Sequence, residues 1–203
     1  PDIRHLTKWD ANQNDLCDAI NDGTFIVQHR DHGQYQAWSN PYLSNNEINR
    51  LDNEDLTFVM SSNCRTGNFN FGNGNDDCFA ERFMRVENGA VAIIAASETS
   101  YSFVNDTYVW GFYDYLWNDF MPDYGSNNVV FKYPAFANVY GKYFLKQASW
   151  LSLSINKKIT YNLFHYFGDA FLQLNTEMPE EIDISYPKEI LTDCSSFTIK
   201  KDK

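Results

Sequence analysis

Seven consecutive residues without a polar side chain, Ala90-Val91-Ala92-Ile93-Ile94-Ala95-Ala96, lie between the turn signal Asn88-Gly89 and the polar segment Ser97-Glu98-Thr99-Ser100. A strand with one wet face alternates apolar and polar residues, so an unbroken apolar run marks a strand covered on both faces. Such strands belong to α/β folds, in which helices flank a mainly parallel sheet. Two other strand-like runs, Phe25-Ile26-Val27 and Leu56-Thr57-Phe58-Val59-Met60, fit the same sheet. Each leads into a loop with reactive side chains: Gln28-His29-Arg30-Asp31-His32-Gly33 after the first, Ser61-Ser62-Asn63-Cys64-Arg65-Thr66-Gly67 after the second. If the two runs are parallel neighbours, His32 and Cys64 emerge at one sheet edge.

The intervening segments supply the helices. Trp9 to Asn21 reads as a helix, with Asn12 or Asn14 as N-cap and Asp22-Gly23 as its stop. Asn45 to Leu51 suits a short helix, and Asn68 to Asp77, rich in Asn and Gly, a loop. Cys78 to Glu87 places Phe79, Ala80, Phe83, Met84 and Val86 at helical spacing. Tyr108 to Phe120, closed by Pro122, and Ala135 to Leu151 read as longer helices. Lys158 to Phe167 and Ala170 to Leu174 flank Gly168-Asp169, and the second reads as a strand. Beyond Glu177 the texture changes: Ile182 to Tyr186 and Ser196 to Ile199 alternate in period two, as half-exposed strands do. The expected organisation is a partial catalytic-type α/β domain over residues 1–176. Residues 177–203 would be a linker with the first strands of a truncated β-sandwich, or a docked β extension. A tail this short cannot bury a sandwich core by itself.

Composition narrows the partners. The chain of 203 residues has a formal net charge of −11, which argues against nucleic acid, whose phosphates call for clustered Lys and Arg. No apolar run approaches the roughly 20 residues of a membrane-spanning helix. The four cysteines, Cys17, Cys64, Cys78 and Cys194, show neither CxxC nor another metal spacing. One of them reads as catalytic and three as buried apolar thiols. His29 and His32 point to opposite faces of an extended segment and have no Cys/His cluster to join, so no metal is expected there. Asn73-Gly74-Asn75-Asp76-Asp77 leaves two readings open, a structural calcium loop and an ordinary Asn/Gly turn; it lacks EF-hand spacing. No cofactor is required. His165, among aromatics, reads as a packed core histidine, and the aromatics from Tyr108 to Trp117 as core at helical spacing or as a carbohydrate platform.

A thiol becomes a nucleophile when an imidazole or a positive backbone field raises its thiolate fraction, and acyl transfer needs N–H donors for the oxyanion. Cys64 and His32 supply the pair, while Gly33 lets the backbone approach a substrate closely. The N–H of Cys64 is the natural second donor.

In this order the chain resembles the second half of the catalytic domain of gingipain-type cysteine peptidases, secreted relatives of caspases and legumains. The resemblance rests on Ala19-Ile20-Asn21-Asp22-Gly23 leading to His32-Gly33 and Trp38, then Cys64-Arg65-Thr66-Gly67-Asn68-Phe69. It continues through Cys78-Phe79-Ala80-Glu81-Arg82-Phe83-Met84-Arg85, Gly89 to Ala95, and Phe167-Gly168-Asp169. It covers roughly residues 15–176 and is weak between 110 and 161.

The resemblance implies a caspase-like fold and a cysteine endopeptidase, secreted or at the cell surface, acting on a protein or peptide. Cys64 would be the nucleophile, His32 the general acid/base, and the N–H groups of Gly33 and Cys64 the oxyanion hole. Ser97-Glu98-Thr99-Ser100-Tyr101 would line the pocket for the side chain before the scissile bond, with Tyr101 as its aromatic flank and Glu98 favouring a basic side chain. Ser100 would contribute to the same wall. The acidic residue that orients the histidine lies upstream in the family, so the missing N-terminal part of the same precursor is an expected partner. Ala170 replaces the proline usual after Phe-Gly-Asp. Two other functions stay open: a catalytically silent pseudo-peptidase serving as an interaction module, and a carbohydrate-binding accessory domain.

Overall fold

A computed structural model describes residues 10–74, 76–118, 120–121, 131–149, 154–176, 184–185, 187–189, 196 and 198–201. Helix α1 (Gln13–Asn21) opens on Asn12, whose side chain accepts the Asn14 N–H at 2.8 Å while Asp15 accepts the Asn12 N–H at 2.8 Å. That reciprocal cap satisfies two otherwise orphaned donors and fixes the helix start. Trp9 lies outside the described residues.

Strand β1 (Ile26–His29) follows, then the short strands β2 (Gly33–Gln34), β3 (Ala37–Trp38) and β4 (Leu43–Ser44), which form an antiparallel ribbon. Helix α2 (Asn45–Ile48) is capped by Ser44 with Glu47, and strand β5 (Thr57–Ser61) follows. Helix α3 (Phe79–Arg85) precedes β6 (Ala90–Ala96). Helices α4 (Ser102–Leu116), α5 (Pro134–Gln147) and α6 (Ser154–Leu163) lead into β7 (Phe164–Phe167).

The main sheet has the order β1-β5-β6-β7, parallel except for β7, which runs antiparallel to β6. Side-chain alternation along β5 splits the core in two. Phe58 and Met60 face one layer with Ala92, Ile94, Tyr108, Phe112 and Leu145, beneath α4 and α5. Val59 faces the other with Ile93, Ile20, Trp38, Phe79 and Phe83, beneath α1, α2 and α3. Both faces of β5 and β6 are thus covered, as their apolar runs require. Tyr108 and Phe112 are fully buried, so the centre of the aromatic run is core. Helices α4 and α5 cross closely because Gly141 carries no Cβ; one placed there would stand 2.6 Å from the Tyr108 carbonyl oxygen.

Several boundaries differ from expectation: α2, α4 and α5 end early, at Ile48, Leu116 and Gln147, so Pro122 does not close α4. Helix α4 begins at Ser102, six residues before Tyr108, because Tyr101 acts as its N-cap without a side-chain cap bond. The segment from Lys158 to Phe167 divides into the end of α6 and all of β7. Ala170 to Leu174 is no strand. Instead the Phe171 N–H bonds the Asp169 carboxylate at 2.9 Å, the Leu172 N–H bonds the Asp169 carbonyl at 3.1 Å, and Gly168 takes φ 147°. A turn closed by Asp169 consumes the donors that a strand would offer to a neighbour. Strand β8 (Ile184–Ser185) pairs antiparallel with β9 (Lys200–Lys201); much of the intervening tail, Cys194 included, lies outside the described residues.

Candidate active site

The register of β1 on β5 pairs His29 with Ser61, so both chains leave the sheet at the same edge. The Ser62 N–H still reaches the His29 carbonyl at 2.9 Å, holding the exits together for one more residue. In open parallel sheets ligands bind outside the carboxyl ends of the strands.

Beyond this point the two loops touch. A Cβ on Gly33 would stand 2.6 Å from the Asn63 Cβ, 2.9 Å from the Cys64 carbonyl oxygen and 2.9 Å from the Thr66 methyl. Real Cβ atoms do not sit so close, so only glycine lets the histidine loop lie against the cysteine loop. The Ser39 N–H bonds the His32 carbonyl at 3.0 Å. In an antiparallel pair that makes the adjacent Gly33–Trp38 pair the non-hydrogen-bonded one, so the Gly33 N–H leaves the ribbon.

Cys64 is half-buried. Its sulfur accepts the Ser100 N–H at 3.3 Å and lies 3.7 Å from the Ser100 carbonyl oxygen and 3.8 Å from its hydroxyl. Asn105, buried in the first turns of α4, donates to the Ser100 hydroxyl at 2.8 Å and fixes that contact. The cysteine loop is tied to the exit of β6 by the Arg65 N–H on the Glu98 carbonyl (3.2 Å) and the Gly67 N–H on the Ala96 carbonyl (2.9 Å). Arg65 holds a left-handed φ of 63°, which makes the sharp bend directly after the cysteine.

His32 stands at the lip of the edge. Its ring is 85 % exposed, and Nε2 lies 3.9 Å from the Asp31 carboxylate, which also accepts the His32 N–H at 2.7 Å. No hydrogen bond joins the ring to the Cys64 sulfur. The other predicted positions fall on the far wall. Tyr101 caps α4 and packs half-buried against the core. Glu98 is not free: its carboxylate lies 3.3 Å from the Arg65 guanidinium and accepts from the Thr99 N–H (3.2 Å) and Asn68 (3.4 Å).

Several residues at this edge carry no signal in the sequence. The Arg65 guanidinium lies over the Tyr35 ring, 5.4 Å from its centroid. Arg30 makes a two-pronged bond to Asp106 at 2.7 and 2.8 Å, locking the histidine loop to α4. His29 is buried, stacked on Trp38 with ring centroids 4.5 Å apart. Its Nε2 bonds the Asn40 carbonyl at 2.9 Å.

The other described thiols are of a different kind. Burial pushes Cys78 up to about 12 and raises Cys17. Among the described residues no three His, Cys, Asp or Glu side chains converge as a metal cluster would. The Asp77 carboxylate is taken by Arg82 and Arg85, each at 2.9 Å. No helix of the described residues is long and apolar enough to cross a membrane.

The family model described as Peptidase family C25 matches residues 3–175. Gingipain R2 of Porphyromonas gingivalis is 25% identical over 195 residues, which cover 92% of this chain and 24% of the relative. Gingipain R1 of the same species is 33% identical over 88 residues, 40% of this chain and 9% of the relative. The crystal structure of the Arg-specific cysteine proteinase gingipain R (RgpB) superposes with a TM-score of 0.73 at 22% identity, covering 97% of this chain and 44% of that one. The complex of the P. gingivalis RgpB pro- and mature domains gives a TM-score of 0.73 at 21% identity, covering 97% and 45%. At such identities the superpositions establish a shared caspase-like fold. The chain spans about a quarter of gingipain R2 and under half of either solved chain. The match over residues 3–175 takes in both loops of the sheet edge, and the chain belongs to peptidase family C25.

Proposed function

We propose that the chain carries the catalytic edge of a cysteine endopeptidase, with Cys64 as nucleophile and His32 as general acid/base. The observation that carries this reading is the contact of Gly33 with Asn63 and Cys64, which brings the two loops together at the carboxyl edge of parallel strands. The Cys64 thiolate attacks the peptide carbonyl carbon and forms a C–S bond. The N–H groups of Gly33 and Cys64 take the oxyanion; among the described residues neither has an acceptor of its own in the chain. The C–N bond then breaks as the His32 imidazolium protonates the leaving amine. Water, deprotonated by the neutral ring, hydrolyses the thioester and returns the thiol.

The His32 ring is exposed and carries no bond to the sulfur, and catalytic hydrogen bonds are often long or poorly aligned until substrate binds. Ser100 and Tyr101 line the pocket for the side chain before the scissile bond. Because Arg65 already neutralises Glu98, that pocket favours a basic side chain only weakly. Peptides are the substrates, the rest of a longer precursor a partner, and secretion or surface display the location that family membership supports. A structural calcium in the loop 73–77 would have to compete with Arg82 and Arg85 for the Asp77 carboxylate, and the chemistry above does not call on one.

The test is hydrolysis of a fluorogenic peptide library by the protein and by Cys64→Ala. Turnover that vanishes in the variant supports the reading, and turnover that survives ends it. The outward His32 ring favours a second reading, a silent module that keeps the shell, which predicts no turnover by either protein.

A further inference from the structure

We propose that Asn63 is a positioning residue that sets the histidine loop against the nucleophile, an inference that rests on the peptidase reading above. Asn63 immediately precedes Cys64 and is 1 % exposed. Its amide is fully used. The oxygen accepts from the Ser61 hydroxyl at 2.6 Å; the nitrogen donates to His29 Nδ1 at 2.6 Å and to the Asp31 carbonyl at 3.0 Å. Asp31 immediately precedes His32. One side chain therefore spans from the residue before the nucleophile to the residue before the acid/base.

The amide belongs to a closed circuit. The Trp38 indole N–H donates to the Ser61 hydroxyl at 2.8 Å, Ser61 to Asn63, and Asn63 to His29, whose ring stacks back on Trp38. Ser61 spends its only proton on Asn63, so the Thr66 hydroxyl, 2.8 Å away, donates to Ser61 from outside the circuit. The circuit fixes tautomers as well as positions. His29 Nδ1 must be the acceptor because Asn63 Nδ2 can only donate, which leaves Nε2–H for the Asn40 carbonyl. Every member has its partner, the condition under which a buried polar network rigidifies what it joins.

The arrangement differs from ordinary core polarity in what it joins. Removing the two Asn63 donors would leave the Cys64 sulfur on Ser100 and Cys64 as accessible as before, because those contacts come from β6 and α4. It would release the Asp31 carbonyl and with it the placement of His32. Rate is sensitive to such placement: a shift of about 1 Å between reacting groups costs on the order of 100-fold.

The experiment compares two reagents on the whole protein and its Asn63→Leu and Thr66→Val variants. Iodoacetamide needs only an accessible thiol, whereas a peptidyl acyloxymethyl ketone also needs the oxyanion donors and the imidazole. We expect Asn63→Leu to lower the ratio of ketone to iodoacetamide rate at Cys64 by about ten-fold or more. Thr66→Val loses a buried hydrogen bond but keeps the methyl against Gly33, and it should leave that ratio within about two-fold of the parent. Asn63→Asp, isosteric and without the two donors, replaces Asn63→Leu should the latter not fold, with the same drop expected. An unchanged ratio in the Asn63 variants, or an equal drop in Thr66→Val, overturns the inference alone. A parent protein whose Cys64 the ketone does not label removes the peptidase reading, and this inference with it.

Discussion

Gly33 and Asn63 lie so close that a single β-carbon on the glycine would stand 2.6 Å from the Cβ of the asparagine. The histidine loop and the cysteine loop are thereby fitted to each other at main-chain distance, with Cys64 and Thr66 completing the seat. Gly33→Ala should destabilise the fold by about 1–3 kcal/mol, the usual cost of overpacking, measured by urea unfolding. The same variant should lose most of its reaction with a peptidyl ketone, because separating the loops moves His32 from Cys64. Full retention of both properties would show that the loops are not in contact.

Arg65 and Glu98 make the second prediction. An exposed pair contributes no more than about 1 kcal/mol, so removing its cation should be tolerated. Arg65→Gln frees the Glu98 carboxylate for a substrate cation. The preference for Lys or Arg over a neutral residue before the scissile bond should rise by about two- to five-fold, the factor that such an energy supports. It is read as kcat/KM on a matched peptide set.

The described thiols should separate by reactivity. Burial holds Cys78 at about 12 and raises Cys17, so both stay protonated at pH 8. Timed alkylation with iodoacetamide, followed by peptide mapping, should show Cys64 modified first and Cys78 last, with Cys78 reacting only once the protein unfolds.

His165 gives a pH dependence. Burial, with the nearby Lys142 ammonium adding to it, holds this imidazole below its ordinary 6.5. The folded protein therefore binds fewer protons there than the unfolded chain, and stability rises with pH in that range. The contribution is complete above about pH 6.5 and is lost as the pH falls through the lowered value. His165→Gln can keep a hydrogen bond to Ser97, 3.2 Å away, and should flatten unfolding free energy against pH between about 7 and 5.

The sheet was legible where burial leaves a mark on composition. Strand β6 is apolar because both faces are covered, and β1 and β5 stop where His29 and Ser61 begin to serve the edge. Strand β7 was not separable from α6, because Phe164–Phe167 becomes a strand only through antiparallel pairing with residues some seventy positions earlier. The start of α4 was hidden for a related reason: Tyr101 lacks the short polar side chain that announces a helix. At the site, Cys64 and His32 stood out by side-chain chemistry. Asn63 and Arg65 lay in the same stretch but carry no nucleophile or base, and their partners His29, Asp31, Glu98 and Tyr35 are brought to them only by the register of the strands.

The most direct measurement is the rate at which a peptidyl acyloxymethyl ketone forms a covalent adduct, mapped by mass spectrometry, in the protein and in His32→Ala. A Cys64–His32 pair predicts one equivalent on the Cys64 sulfur and a rate about 100- to 10,000-fold lower in the variant, the range of general acid–base assistance. Adducts spread over several cysteines, or an undiminished rate without His32, would contradict it.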